Sequence, residues 1–492
     1  MVFNSQLFIF IFLPVVLMIY YLLHKVKLHK GAKLFLIVSS FVFYGYFNIK
    51  FVPVLLFSLV SNYCFFQMFR LIPISKKVLL RKLLLIIAVT VNLSVLFYFK
   101  YFNFFISNIN KIFHTGVFEK NIMLPLGISF FTFQQISLLV DRYKDATLTY
   151  NALDYGVFAS FFPQLVSGPI VLHNQLIPQI QDANRWKPNF QCFAIGLKYV
   201  TLGLAKKTLL ADRFGNIVDL GYTYPIDWDV LGALQIILSY TLQIYFDFSG
   251  YSDIAIGIGK MFGFDIPTNF NSPYKAVSIA DFWKRWHMTL TGFFTKYVYI
   301  PLGGNRKGRI RTYCNVLIVF ALSGLWHGAS WTFVLWGLLH GMALVVYRIL
   351  YPIINKIPKF LIGIATFIFV NFAWILFRAE STWQAKRIFY CLVKGGIHWE
   401  KTTTLWEAFW GNSLQLLLSQ IPYSQTAYIY AVAVMTILVT LISLLIVFLA
   451  PNSAIIAERI KFIRGEGILF GVLITLCILT FTNVSTFIYF KF

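Results

Sequence analysis

Runs of about twenty apolar residues, repeated along the whole chain, decide most of what this sequence can become. A helix needs roughly 20 such residues to cross the hydrocarbon core of a bilayer. Clear runs are Leu7 to Leu23, Leu34 to Ile49, Phe51 to Phe69, Leu83 to Phe99, Val230 to Phe246, Phe333 to Leu350, Phe360 to Phe377, Ala427 to Ala450 and Ile468 to Val484. Shorter runs, broken by Gly, Pro or polar residues, cover Leu124 to Val140, Phe158 to Ile170, Phe190 to Leu210 and Val316 to Leu325. Only 12% of the residues are charged, against about 25% in a soluble domain. That is too little polar surface to coat a water-soluble globule. The expectation is an all-α polytopic membrane protein. It would form one embedded domain over residues 1–492, with about eleven or twelve transmembrane helices plus re-entrant and interfacial helices.

The charge is +24, but the cations sit in short loops between apolar runs. This is the cytoplasmic-loop bias of a polytopic protein, with anionic membrane lipids as the counter-charge rather than nucleic acid. One basic loop holds Lys25, Lys27, Lys30 and Lys33, and a second holds Arg70, Lys76, Lys77, Arg81 and Lys82. Two spans meeting near Asn48 separate them, so both loops face the cytoplasm and the first residues face outward. Arg459, Lys461 and Arg464 are cytoplasmic by the same rule, and the last span delivers residues 487–492 to the outer face. The first apolar run lacks a basic flank and a small-residue cleavage site, and reads as a retained helix. Five cysteines show no CxxC or metal spacing and read as packing residues. No internal repeat is visible. The stretch from Gly395 to Trp410 is polar and aromatic, and is expected at the membrane interface.

Eight histidines offer candidate chemistry. His24 and His29 lie in the first basic loop, His114 and His398 in loop-like sequence, and His173 after the Ser167, Gly168, Pro169 break. His327 stands inside apolar sequence that runs from Val316 to Tyr347. An ionisable group at membrane depth is expensive and marks a function by default. Gly324 and Gly328 beside it allow a helix break. A break at that depth is tolerated only where it faces protein or a water-filled cavity. A neutral imidazole there can take a proton from an attacking hydroxyl. The alternative is a buried histidine that only satisfies a backbone carbonyl.

His287 ends the segment Asp281 to His287 (DFWKRWH), which reads as an amphipathic interfacial helix anchored by Trp283 and Trp286. His287 bears a functional or a structural reading equally. His340 is thirteen residues beyond His327, on a different helical face, so the two do not suggest a metal site. Asp247 and Asp253 interrupt another apolar region. They either orient a histidine or pair with Lys or Arg across helices. The basic run from Gly303 to Arg311 lacks the spacing of a phosphate-binding loop.

Five motifs taken together resemble the membrane-bound O-acyltransferase (MBOAT) family, nearest to its alginate O-acetyltransferase branch. They are Phe161 to Pro169 (FFPQLVSGP), Gln243 to Asp253 (QIYFDFSGYSD), Asp281 to His287, Tyr299 to Asn305 (YIPLGGN) and Leu325 to Gly328 (LWHG). With the intervening spans, the resemblance covers nearly the whole chain. It implies a ring of helices around a thin central region, in a bacterial plasma membrane. It implies His327 and His287 as catalytic histidines, with Asp247, Asp253 and Trp326 in possible supporting roles. No bound cofactor or metal is implied, and the acyl donor is taken to be acetyl-CoA. Residues 487–492 (FIYFKF) resemble an aromatic motif of this branch, in which a tyrosine relays the acyl group to an extracytoplasmic SGNH-type acetyltransferase. Tyr489 would be that tyrosine, unless the cluster is only an aromatic anchor.

The expected function is therefore acetyl transfer across the membrane for O-acetylation of an alginate-like exopolysaccharide, peptidoglycan or cellulose. D-Alanyl transfer to teichoic acid is the related alternative. A transporter or flippase, or a scaffold for outer enzymes, is the alternative from another class.

Overall fold

The computed structural model describes residues 1–73, 78–223, 228–396, 399–411, 424–459, 464–480 and 486–488. All regular secondary structure among these is helical. Among the described residues, seven helices are long and apolar enough to cross a membrane: Leu7–Lys25, Ile49–Leu71, Val78–Phe113, Val230–Met261, Trp331–Ile349, Lys359–Arg378 and Ala427–Leu449. The chain is a multi-pass membrane protein. Other helices are shorter, such as Gly465–Leu479, or carry polar residues near one end. His29–Phe47 opens with His29, Lys30 and Lys33, and Arg309–His327 opens with two arginines and closes on a histidine.

The Val230–Met261 helix forms the centre. Of its most apolar stretch 72% is buried, against 22% to 39% for the other six. Those six present rows of exposed apolar side chains, among them Phe10, Ile11, Met18, Ile86 and Leu441, which suits lipid contact. The Phe190–Leu204 helix lies directly on the central helix. A Cβ on Gly203 would come 2.5 Å from the Gly250 carbonyl oxygen. Small residues let two backbones touch where lipid supplies no hydrophobic drive for association. A π-helical turn, Ala205–Ala211, continues that second helix. It directs Lys206 and Lys207 onto the central helix at Asp253 and Asp247.

One expectation fails. The DFWKRWH segment is not an interfacial anchor. Trp283, Trp286 and His287 are buried, Trp286 to 1% exposure, and the Trp286 ring lies 5.0 Å from Trp374. Aromatics spaced for a headgroup belt serve equally to fill a helical core, and here they do the latter. The cations of the segment stay partly exposed, with Arg285 held by Asp281 at 3.0 Å. In the Gly395 to Trp410 stretch, the helix Trp399–Trp410 buries Leu405, Trp406 and Phe409 against the rest of the protein.

Candidate active site

Helix direction fixes where His327 lies across the membrane. Arg309–His327 starts beside the basic loop and rises about 28 Å over its 19 residues, so His327 sits toward the opposite face. Trp331–Ile349 returns to Arg348 on the basic side. Lys359–Arg378 then climbs back, bringing Phe377, Arg378 and Glu380 to the level of His327.

The helix stops at His327 for steric and hydrogen-bonding reasons. Gly328 turns to extended backbone at φ −160°, and a Cβ there would meet the Phe333 ring at 2.1 Å. Ser330 then caps the next helix through its hydroxyl and the Thr332 N–H, 3.3 Å apart. The two helices form a hairpin pressed together at glycines. A Cβ on Gly324 would lie 2.2 Å from the Phe333 carbonyl, and one on Gly337 2.2 Å from the Phe320 carbonyl.

A helix end inside a membrane leaves four carbonyls to satisfy. Gly324 accepts from the Gly328 N–H at 3.3 Å. Tyr101 donates its hydroxyl to Leu325 at 3.0 Å. Lys100 donates to Trp326 at 2.5 Å and to His327 at 3.1 Å. A third donor of the same ammonium goes to Ser129 Oγ at 3.2 Å. The π-helical turn Phe97–Tyr101 brings these neighbouring side chains to one helix end, and such turns recur at functional sites. A cation is also favoured at a helix C-terminus by the macrodipole. An ammonium has three N–H bonds, and all three are engaged. Lys100 is therefore a positioning residue for His327, a role the sequence did not suggest.

The His327 ring is 3% exposed as part of its residue and sits in an aromatic cage. Ring centroids lie 4.9 Å away for Trp326, 5.2 Å for Trp336 and 5.1 Å for Phe377. His287 is 6.4 Å away, and Trp326 lies 6.1 Å from His287. The two motif histidines and Trp326 therefore share one site. His287 holds a left-handed backbone at φ 45°, a conformation costly for a residue with a Cβ and frequent at functional sites. Asn269 supports it. Its side-chain oxygen lies 3.1 Å from His287 Nδ1 and accepts from the Thr289 hydroxyl at 2.9 Å. The Thr289 hydroxyl in turn accepts from the Ile170 N–H at 3.0 Å, which ties the FFPQLVSGP segment to this site.

A cavity of about 760 Å³ lies on the side away from the basic loops, lined in part by Ser330, Phe333, Phe377, Arg378 and Glu380. Phe333 and Phe377 form a single aromatic layer between it and His327. A second cavity of about 320 Å³ opens toward the basic side, lined by Trp283, Lys284, Phe320, Ser323 and Arg348 among others. Two rings separate it from His327: Trp336, 5.2 Å from the histidine ring, and then Trp283, 5.8 Å from Trp336. A small third hollow is lined by His327, Trp326, Lys100 and Ser129.

The other candidates lie elsewhere. Asp247 and Asp253 do not reach a histidine. They pair with Lys207 and Lys206, each at 2.6 Å. His340 accepts the Trp283 indole N–H at 3.3 Å, on the far side of the Trp336 ring. His173 bridges Tyr150 and Asp141, at 2.9 and 3.0 Å. No three metal-ligating side chains converge among the described residues. Tyr489 lies outside the described residues. The segment before it is described, and Ile488 lines the larger cavity.

A polytopic helical membrane protein with a caged histidine at a helix break, between cavities at its two ends, defines an embedded enzyme rather than a receptor surface. The model of MBOAT, the membrane-bound O-acyltransferase family, matches residues 41–382. The chain is 42% identical to a peptidoglycan O-acetyltransferase of Helicobacter pylori, over 79% of each chain. It is 38% identical to a probable alginate O-acetylase of Pseudomonas aeruginosa, over 80% of this chain and 75% of that one. A teichoic acid D-alanyltransferase of Bacillus subtilis is more distant, 28% identical over 53% of this chain and 70% of its own. This chain belongs to the membrane-bound O-acyltransferase family and is an acyltransferase.

Proposed function

We propose that this protein carries acetyl groups from cytosolic acetyl-CoA across a bacterial plasma membrane for O-acetylation of an extracellular or cell-wall polysaccharide. The observation that carries the reading is the position of His327, separated from an outer cavity by the Phe377 ring and from an inner cavity by the Trp336 and Trp283 rings in succession. A donor and an acceptor could approach it from opposite faces without opening a water path. The acetyl specificity rests on the two closer relatives, whose names give O-acetylation of peptidoglycan and of alginate. The fold in this reading has about eleven or twelve crossings, the shorter helices included.

The reaction has two halves. The acetyl-CoA thioester presents its carbonyl to the His327 cage. The His327 imidazole takes the proton of the attacking hydroxyl, that of Tyr489, as the new C–O bond forms. The C–S bond breaks, and the thiolate leaves with the proton returned from the imidazolium, giving CoA and an acetyl ester on Tyr489. An extracytoplasmic SGNH-type acetyltransferase then accepts the acetyl group and passes it to a sugar hydroxyl. The protein's contribution is positioning and the exclusion of water, which would otherwise hydrolyse the thioester. His287, 6.4 Å from His327, would complete the catalytic pair, with Trp326 walling the site.

Mass spectrometry of Tyr489 tests the pathway. After incubation with acetyl-CoA, Tyr489 should carry a 42 Da adduct (roughly the mass of an acetyl replacing a proton) that disappears in His327→Ala. Normal polymer acetylation by a folded Tyr489→Phe protein would rule the relay out.

A further inference from the structure

The Lys207–Asp247 pair has a partner that an interior ion pair does not need: a stretch of chain more than two hundred residues away. Lys207 lies 2.6 Å from Asp247 and 2.9 Å from Asp212, and its ammonium also donates to the Thr486 carbonyl at 3.0 Å. The other oxygen of Asp247 accepts the Ile488 backbone N–H at 2.9 Å. Between these two contacts, the Phe487 ring lies 4.6 Å from the same ammonium and packs edge-on against Tyr251 at 4.8 Å. Three successive residues are thus held by a carbonyl, a ring and an amide. Phe487 and Ile488 are buried. Lys207, Asp247, Thr486 and Ile488 all line the outer cavity, whose far wall is the Phe333 and Phe377 layer over His327.

We infer that the Lys207–Asp247 pair is a clamp that docks the 486–488 segment in the outer cavity and so fixes where the next residue, Tyr489, enters the reaction. This deepens the relay reading and rests on it. Lys207 and Asp247 are positioning residues, since they act through the segment they hold. The geometry favours a clamp over a simple structural pair. Lys206 and Asp253, next to it, make the parallel contact to Ser453 through its side chain alone, at 3.1 and 3.0 Å. Lys207 and Asp247 hold main-chain atoms on both sides of an aromatic side chain. Main-chain contacts fix the path of the segment, and the ring contact fixes its register.

Hydrogen–deuterium exchange on the full-length protein in detergent reads the clamp without relying on activity. The Ile488 amide should be protected in the wild type. It should exchange roughly tenfold faster or more when the clamp is removed. Removing Lys207 alone leaves Asp247 buried without its counter-charge, and such a variant is prone to misfold. The informative variant is therefore Lys207→Met with Asp247→Leu, which replaces the pair by apolar side chains of similar size. Loss of Ile488 protection in that variant, with the rest of the exchange pattern kept, is the expected result. An unprotected Ile488 amide in the wild type, or protection unchanged in the double variant, would overturn the clamp. Tyr489→Phe separates the two ideas. If it keeps Ile488 protected and polymer acetylation is unchanged, the relay reading falls and the docking by Lys207 and Asp247 stands.

Discussion

The ammonium of Lys100 donates to the backbone carbonyl of His327 at 3.1 Å, and with Tyr101 it closes the helix end that carries the histidine. Its hydrogen-bond partners are all uncharged, so the cation is held by helix carbonyls and one hydroxyl alone. Lys100→Met should leave those carbonyls without donors and let the His327 backbone shift. Displacement of a catalytic group by about 1 Å can cost roughly 100-fold in rate. Steady-state kinetics should show kcat falling by about that factor with KM for acetyl-CoA little changed. Lys100→Gln keeps two donors and should fall between. A Lys100→Met protein with wild-type kcat would refute the positioning role.

Phe377 and Phe333 should behave as a seal. In Phe377→Ala the outer cavity should join the His327 cage, admitting water to the thioester. Release of CoA without matching acetylation of polymer should then rise several-fold. Equal coupling in the variant and the wild type would mean that this layer does not exclude water.

Backbone contact between the two helices flanking His327 leaves no room at Gly337. Gly337→Ala places a methyl 2.2 Å from the Phe320 carbonyl, and overpacking of this kind costs about 1–3 kcal/mol. The melting temperature in detergent should drop by several degrees, and activity should fall with it. Gly292, where nothing lies within 4 Å of an added Cβ, is the matched control.

Asp141 ties together three elements through His173, Lys296 and Tyr297. Burial pushes its carboxyl up, but hydrogen bonds from those three side chains outweigh burial and hold its pKa down at about 2. A depressed carboxyl contributes stability that is complete above its unfolded value near 4 and is lost as pH falls through the folded value. The contribution is about 2 kcal/mol. Chemical-denaturation midpoints should fall between about pH 4 and pH 2 in the wild type. Asp141→Asn should flatten that limb and lower stability at neutral pH.

The sequence reveals His327 because an imidazole in apolar sequence must be accounted for, and the flanking glycines already imply the break. It hides Lys100. That lysine directly follows the apolar run ending at Phe99, where a cation reads as a membrane-edge residue, and the two carbonyls it caps lie 226 and 227 residues away. Asp247 and Asp253 announce the need for a counter-charge, but which lysines meet them depends on a π-helical turn that no periodicity marks. The DFWKRWH segment misleads because aromatic and basic residues alternate alike in an interfacial helix and in a buried one with snorkelling cations. Helices such as His29–Phe47 and Arg309–His327 are legible as elements. Their status as crossings is less so, since helix contacts rather than hydropathy hold them in place.

Release of CoA from acetyl-CoA by the purified protein in proteoliposomes tests the central claim most directly. Wild-type protein should release CoA. His327→Ala, folded by the same melting profile, should do so roughly 100-fold to 10,000-fold more slowly. CoA release by His327→Ala at a rate close to that of the wild type would contradict the account.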